Sequence, residues 1–167
     1  MTESLNEVLA KADRNFDASV DRLADLLRIP SISTDPAYAS EVARCAEWMA
    51  EALRGVGFNA AIHATAGPPM VVAHAEGPPG WDGPRLLYYG HYDVQPPDPL
   101  ELWESAPFEP VIRDGPGGKR IVARGAVDDK GQVMTFVEAF RAWRDVAGGV
   151  PCPVTVFLEG EEESGSK

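Results

Sequence analysis

The sequence predicts an α/β fold, with a mainly parallel sheet flanked by helices. Two observations carry this expectation. Segments with helical apolar spacing alternate with short apolar runs of strand length, and the strongest of those runs end in polar, glycine-containing exits. The 167 residues are the size of one domain, and a 44% hydrophobic composition is enough to bury a core.

Leu5, Val8, Leu9, Ala12, Phe16, Val20, Leu23, Leu26 and Leu27 recur at helical spacing. They predict one amphipathic helix over 5–27, stopped by Pro30. Residues 31–36 read as a polar connector. A second helix is expected over 39–53, with Val42, Cys45, Ala46, Met49, Ala50 and Leu53 on one face and Gly55 and Gly57 at its end. The runs at 59–65 and 69–74 predict strands, and Pro78-Pro79 marks a turn over 77–84. Leu86-Leu87-Tyr88-Tyr89 predicts a strongly buried strand over 85–89 that ends at Gly90.

Residues 95–110 are rich in proline and aromatic residues and too irregular for a regular element, which is a common setting for a functional loop. Val111-Ile112 and Ile121-Val122-Ala123 flank a glycine-rich turn, as in a hairpin. A third helix is expected over 131–146, burying Val133, Met134, Phe136, Val137, Phe140 and Trp143, with Asp129 as its N-cap. The last strand is expected over 154–158. A parallel strand normally leads into a crossover. The end at Lys167, just past an acidic strand exit, therefore predicts that residues 1–167 are the front portion of a longer protein.

Composition narrows the partners. Lys+Arg 15 against Asp+Glu 26 gives a net charge of -11, which argues against nucleic acid and against an anionic membrane surface. Charges run through residues 1–17 without the apolar stretch of a secretory signal. No apolar run approaches the roughly 20 residues that span a bilayer. Cys45 and Cys152 are too few for a disulfide scaffold, so a reducing compartment is expected and the location is read as cytoplasmic.

Three strand exits carry chemistry: Gly90-His91-Tyr92-Asp93, then Arg124 to Gly131 with Asp128-Asp129, then Glu159 to Ser166 with Glu161-Glu162-Glu163. In open α/β sheets, sites form at the carboxyl ends of strands. One imidazole with several carboxylates suits Zn, Mn or Co better than Ca or Mg. His91 offers one ring nitrogen as a ligand, and Asp93, two residues on, can hold the other. Asp128 can ligate or bridge two metals. In a glutamate pair, one carboxylate can ligate while its neighbour acts as general base.

Taken singly, each has a plainer reading. His91 alone is a core or surface histidine, Asp93 a turn residue, Asp128-Asp129 a helix cap, and Glu161 to Glu163 a solvated acidic loop. Convergence of the three exits is what raises the metal reading. His63 and His74 lack acidic companions and read as structural. Cys45 reads as packing on an apolar helix face, and Cys152 has no paired ligand. The chain has no serine nucleophile elbow, and the glycines at 115–118 lack the strand-to-helix setting of a phosphate loop.

Gly90-His91-Tyr92-Asp93-Val94-Gln95-Pro96, Ala123-Arg124-Gly125-Ala126-Val127-Asp128-Asp129-Lys130-Gly131 and Glu159-Gly160-Glu161-Glu162-Glu163-Ser164-Gly165-Ser166 together resemble the co-catalytic zinc peptidases and deacylases. That superfamily includes carboxypeptidase G, acetylornithine deacetylase, succinyl-diaminopimelate desuccinylase, aminoacylase and the carnosine-type dipeptidases. The last motif and Trp103-Glu104-Ser105-Ala106-Pro107-Phe108-Glu109-Pro110 resemble the dipeptidase branch.

The resemblance implies a zinc-exopeptidase-like catalytic domain of which residues 1–167 are the N-terminal portion. It implies His91 as the ligand of one zinc, Asp93 as the residue orienting it, Asp128 as the bridging carboxylate, Glu162 as general base and Glu163 as the ligand of the other zinc. Glu162-Glu163 is taken as the pair because Ser164-Gly165-Ser166 follows it directly, which leaves Glu161 at a variable position. A cis peptide between Asp128 and Asp129 is implied as well.

The expected cofactor is Zn2+, two per complete site, with Mn2+ or Co2+ as substitutes. The expected substrate is a dipeptide or an N-acyl amino acid. Further metal ligands and a lid or dimerisation domain come later in this family, which implies an incomplete site in 1–167 and a homodimer for the full-length protein. A deacylase of the same superfamily and a non-catalytic metal-binding or interaction module stay open beside the dipeptidase reading.

Overall fold

A computed structural model describes residues 2–166. Helices α1 (Thr2–Arg14), α2 (Phe16–Leu27) and α3 (Ala39–Arg54) come first. Strands β1 (Asn59–His63), β2 (Met70–Ala75) and β3 (Leu86–His91) follow, then the hairpin β4 (Val111–Gly115) and β5 (Gly118–Val122). Helix α4 (Lys130–Ala147) and strand β6 (Val154–Glu159) complete the order. None of the described helices is long and apolar enough to cross a membrane.

The α/β class and the strand and hairpin positions agree with the sequence. The sheet runs β1-β2-β6-β3 and is mixed. β1–β2 and β2–β6 are antiparallel, while β3–β6 is parallel. The parallel pair is the one that positions the site.

The single helix expected over 5–27 is two helices. The chain breaks at Asn15, whose N–H is shared between the carbonyls of Lys11 and Ala12 at 3.1 Å each. Asparagine is a weak helix former. Both helices pack on α4, where Lys11 pairs with Asp145 at 3.2 Å and Arg22 Nε donates to Glu138 Oε1 at 2.8 Å. Apolar spacing continues through the break, so periodicity alone does not register it.

The core lies between the sheet and helices α3 and α4. The apolar face of α3 (Val42, Cys45, Ala46, Met49, Ala50, Leu53) is buried throughout, as its spacing requires. Phe140 on α4 meets Phe136 edge-on at 4.3 Å and Phe58 at 4.8 Å, and Phe136 stacks on Tyr88 of β3 at 3.8 Å. Trp143, expected inside, is half-buried. Phe140→Ala is expected to cost about 3–5 kcal/mol, read as a lower urea midpoint with unchanged slope.

The strongly buried strand expected over 85–89 is corrected. β3 is an edge strand of the described sheet, and Leu86, Leu87 and Tyr89 are 43%, 67% and 52% exposed. Helix α4 covers Tyr88 and Gly90, while Leu86 on the same face and Leu87 and Tyr89 on the other stay exposed. A continuous apolar run records hydrophobicity but not how many layers cover it.

Candidate metal centre

Parallel pairing of β3 with β6 sets both carboxyl ends at one edge of the sheet. The register places His91 opposite Glu159, so the chain leaves both strands side by side. Residues 124–129 bring a third exit to the same edge, just before α4. The Asp128–Asp129 peptide is cis, as the resemblance implies, and Asp98–Pro99 is cis too.

The three exits converge. His91 Nε2 lies 3.0 Å from Asp128 Oδ1. One donor atom each from His91, Asp128 and Glu163 falls within 4.8 Å of the others. Glu162 Oε2 stands 4.0 Å from His91 Nε2. His91 is buried, Glu163 half-buried and Asp128 exposed, so the donors form the rim of an open site.

Asp93 joins the pieces from behind. It is fully buried, with Oδ1 3.2 Å from His91 Nδ1. Its Oδ2 accepts from the Ser33 hydroxyl at 2.6 Å and from the Glu163 N–H at 3.0 Å. A proton on Nδ1 therefore leaves Nε2 facing Asp128, which is the tautomer a metal-ligating ring needs. Gln95 Nε2 donates to Glu163 Oε2 at 2.7 Å and so holds that carboxylate.

Asp129 stands at the N-cap position of α4, but its side chain makes no capping hydrogen bond. Its Oδ2 accepts from the His91 backbone N–H at 3.2 Å instead. The cap expected from its position is thus a link between two exits. Lys130 next to it is fully buried, and Nζ donates to the carbonyls of Ile29 at 2.7 Å and Leu26 at 3.3 Å. Burial lowers its pKa, and Nζ adds a second donor to two carbonyls that already accept backbone N–H groups, Leu26 from Ile29 and Ile29 from Ser31.

Sequence reasoning missed Ser31, Ser33, Gln95 and Lys130. The connector over 31–36 is polar in composition yet runs through the interior at its start. Ser31 is fully buried, its hydroxyl donates to the Tyr92 carbonyl at 2.7 Å, and Ile32 forms a parallel bridge to Val94. Gln95 lies inside the first motif and could have been taken with it. No signal in the sequence marks Lys130 as buried. His63 lies on β1, at the opposite edge of the described sheet from His91, and His74 Nδ1 meets the Thr155 hydroxyl at 3.1 Å. Cys45 is packed in the core as read.

The electrostatics favour a cation. Burial disfavours a charged His91 ring, but Asp93, then Asp129 and Asp128, outweigh it and push the pKa up from 6.5 to about 9. Burial also pushes the Asp129 carboxyl up, opposed by the His91 N–H and ring charge. One imidazole nitrogen and two carboxylates facing a common point, with the second ring nitrogen already held, are a donor set that fits a divalent transition metal.

Metal and proton then compete for His91. With no metal bound, the raised pKa contributes stability that is complete below 6.5 and lost as pH rises through about 9. Divalent-ion affinity is expected to rise by up to about tenfold per pH unit below that point and to flatten above it, with proton release. Calorimetry in buffers of different ionisation enthalpy checks this.

Residues 87–167 match Peptidase family M20/M25/M40. The chain is 31% identical over 177 residues to the Cys-Gly metallodipeptidase of Saccharomyces cerevisiae, covering 99% of this chain and 36% of that protein. It is 33% identical over 144 residues to the succinyl-diaminopimelate desuccinylase of Xylella fastidiosa, covering 86% of this chain and 34% of that protein. Human carnosine dipeptidase 1 superposes with a TM-score of 0.85 at 28% identity, over 97% of this chain and 36% of that one. The chain thus spans about a third of the length of these relatives.

Proposed function

We propose that the chain, whose residues 87–167 match Peptidase family M20/M25/M40, belongs to that family and carries the first part of a metal-dependent hydrolase acting on the amide bond of dipeptides. The supporting observation is the convergence of His91, Asp128 and Glu163 donors within 4.8 Å, with Glu162 beside them. In this reading His91 would hold one Zn2+, Glu163 a second, and Asp128 would serve both. Mn2+ or Co2+ can substitute.

Bound metal would lower the pKa of water and polarise the substrate carbonyl. Glu162 takes the proton of the attacking water and returns it to the leaving amine. Asp93 keeps His91 in one tautomer and, through the Glu163 N–H, holds the third exit against the first. Gln95 keeps the Glu163 carboxylate turned toward the cluster.

Three donors are fewer than two metal ions need, so residues 1–167 alone are expected to turn over weakly or not at all. The same proposal takes 1–167 as the N-terminal portion of the catalytic domain, and the longer protein would be a cytoplasmic homodimer. Similarity to the desuccinylase supports a second reading, an N-acyl-amino-acid deacylase.

Elemental analysis after gel filtration tests the metal site. Bound zinc that is lost in His91→Ala is the expected result, and zinc unaffected by that change sinks the assignment. Free dipeptides assayed against acetylated and succinylated amino acids, on the chain supplied with the remaining part of such a hydrolase, separate the two readings.

A further inference from the structure

Glu161 is not used by the centre just described. Its side chain enters a separate cavity of about 470 Å3, lined also by Ser33, Thr34, Thr65, Gly67 and Ser164. The residue is 9% exposed, yet among the described residues its carboxylate accepts no hydrogen bond and has no ion pair. Gly67 leaves the space it occupies, since a Cβ there would stand 2.7 Å from Glu161 Oε2. Its carboxylate oxygens are not sealed in, so they stay open to a group that enters the cavity.

Three of the four hydroxyls around it have no hydrogen left to give, and the fourth, on Thr34, makes no hydrogen bond to it. The Ser33 hydroxyl donates to Asp93 Oδ2 at 2.6 Å, the Thr65 hydroxyl to the Pro68 carbonyl at 2.8 Å and the Ser164 hydroxyl to the Glu161 carbonyl at 3.1 Å. Each has one hydrogen, and each has spent it. Toward the cavity these oxygens present lone pairs only. The wall is therefore rich in acceptors, carries one negative charge and keeps a single spare side-chain hydroxyl donor, on Thr34.

We propose that this cavity is a binding site for an alkylammonium group, with Glu161 as its counter-ion. An ammonium brings three N–H donors and one positive charge to a carboxylate ringed by acceptor oxygens. A single carboxylate is too little charge for Ca2+ or Mg2+. Ala66 and Pro68 complete the wall with apolar surface for the methylenes, and the volume exceeds that of a bare ion. The group is either a basic side chain of a peptide or a free amine. The site stands whether or not the neighbouring donors hold metal.

The test is a titration of butylammonium chloride into the metal-free chain, in chelator and at constant ionic strength, followed by NMR or calorimetry. Saturable one-to-one binding is expected, weakened about 10- to 100-fold in Glu161→Gln. Gly67→Ala, which crowds the carboxylate, is expected to weaken it as well and serves if Glu161→Gln does not fold. Asp128→Asn is expected to leave it unchanged, and Glu161→Gln to leave divalent-ion affinity unchanged.

Four results overturn the proposal: no saturable binding, wild-type binding in Glu161→Gln, loss in Asp128→Asn, or displacement by potassium at equal concentration. Competition by a lysine-containing dipeptide and not by its norleucine analogue assigns the group to a peptide side chain. Competition by neither assigns it to a free amine.

Discussion

Glu162→Gln is expected to keep divalent metal at the wild-type level and to lower amide hydrolysis by about 10²- to 10⁴-fold, the usual worth of a positioned general base. Its Oε2 lies 4.0 Å from His91 Nε2, beside the three donors rather than among them. The amide keeps the shape and removes the proton acceptor. The assay is run on the chain supplied with the remainder of the hydrolase, with metal measured on the same sample. Loss of metal in the variant would make Glu162 a ligand. Unchanged turnover would remove it from the chemistry and return the question to Glu161 or Glu163.

Gly131→Ala is expected to cost the site its third exit. A Cβ at Gly131 would stand 2.0 Å from the Ala126 carbonyl oxygen, which is backbone and cannot rotate away. The clash pushes on residues 126–130, the segment that carries Asp128 and lodges Lys130 in the core. Overpacking of this kind costs about 1–3 kcal/mol, and here the displaced atoms belong to a donor loop. Divalent-ion affinity should fall along with thermal stability. A variant that melts lower but binds metal as wild type would show that the loop relaxes without moving Asp128.

Glycine at 131 follows from one close backbone approach. The same holds at Gly160, where a Cβ would meet the buried Tyr92 ring at 2.3–2.7 Å. In both places a sequence motif and a steric requirement coincide. The motif-bearing segments are legible because the chemistry-bearing residues of each lie within a few positions of one another. His91 and Asp93 sit two apart at a strand exit, and Asp128 and Asp129 sit at the start of α4.

The supporting residues were harder to read because their partners are far along the chain. Ser33 reaches Asp93 across 60 positions, Gln95 reaches Glu163 across 68 and Lys130 reaches Ile29 across 101. Nothing local distinguishes Ser33 from any other serine in a connector. Asp129 illustrates the same limit: its local position says helix cap, and its actual partner is the His91 N–H.

The sequence by itself determined the α/β class, the strand and hairpin positions, the amphipathic faces of α3 and α4, and the identity of the donor-bearing exits. Those properties rest on short-range patterns: period 2 or 3.6 in hydrophobicity, glycine where the chain turns, polar residues where a strand stops. Tertiary structure decided the break at Asn15, the exposed face of β3, the antiparallel half of the sheet and the burial of Glu161 and Lys130. Each depends on which layer or which distant carbonyl lies opposite. A pattern of residue types along one chain contains the propensity to be buried, but only packing supplies the neighbour that completes the burial.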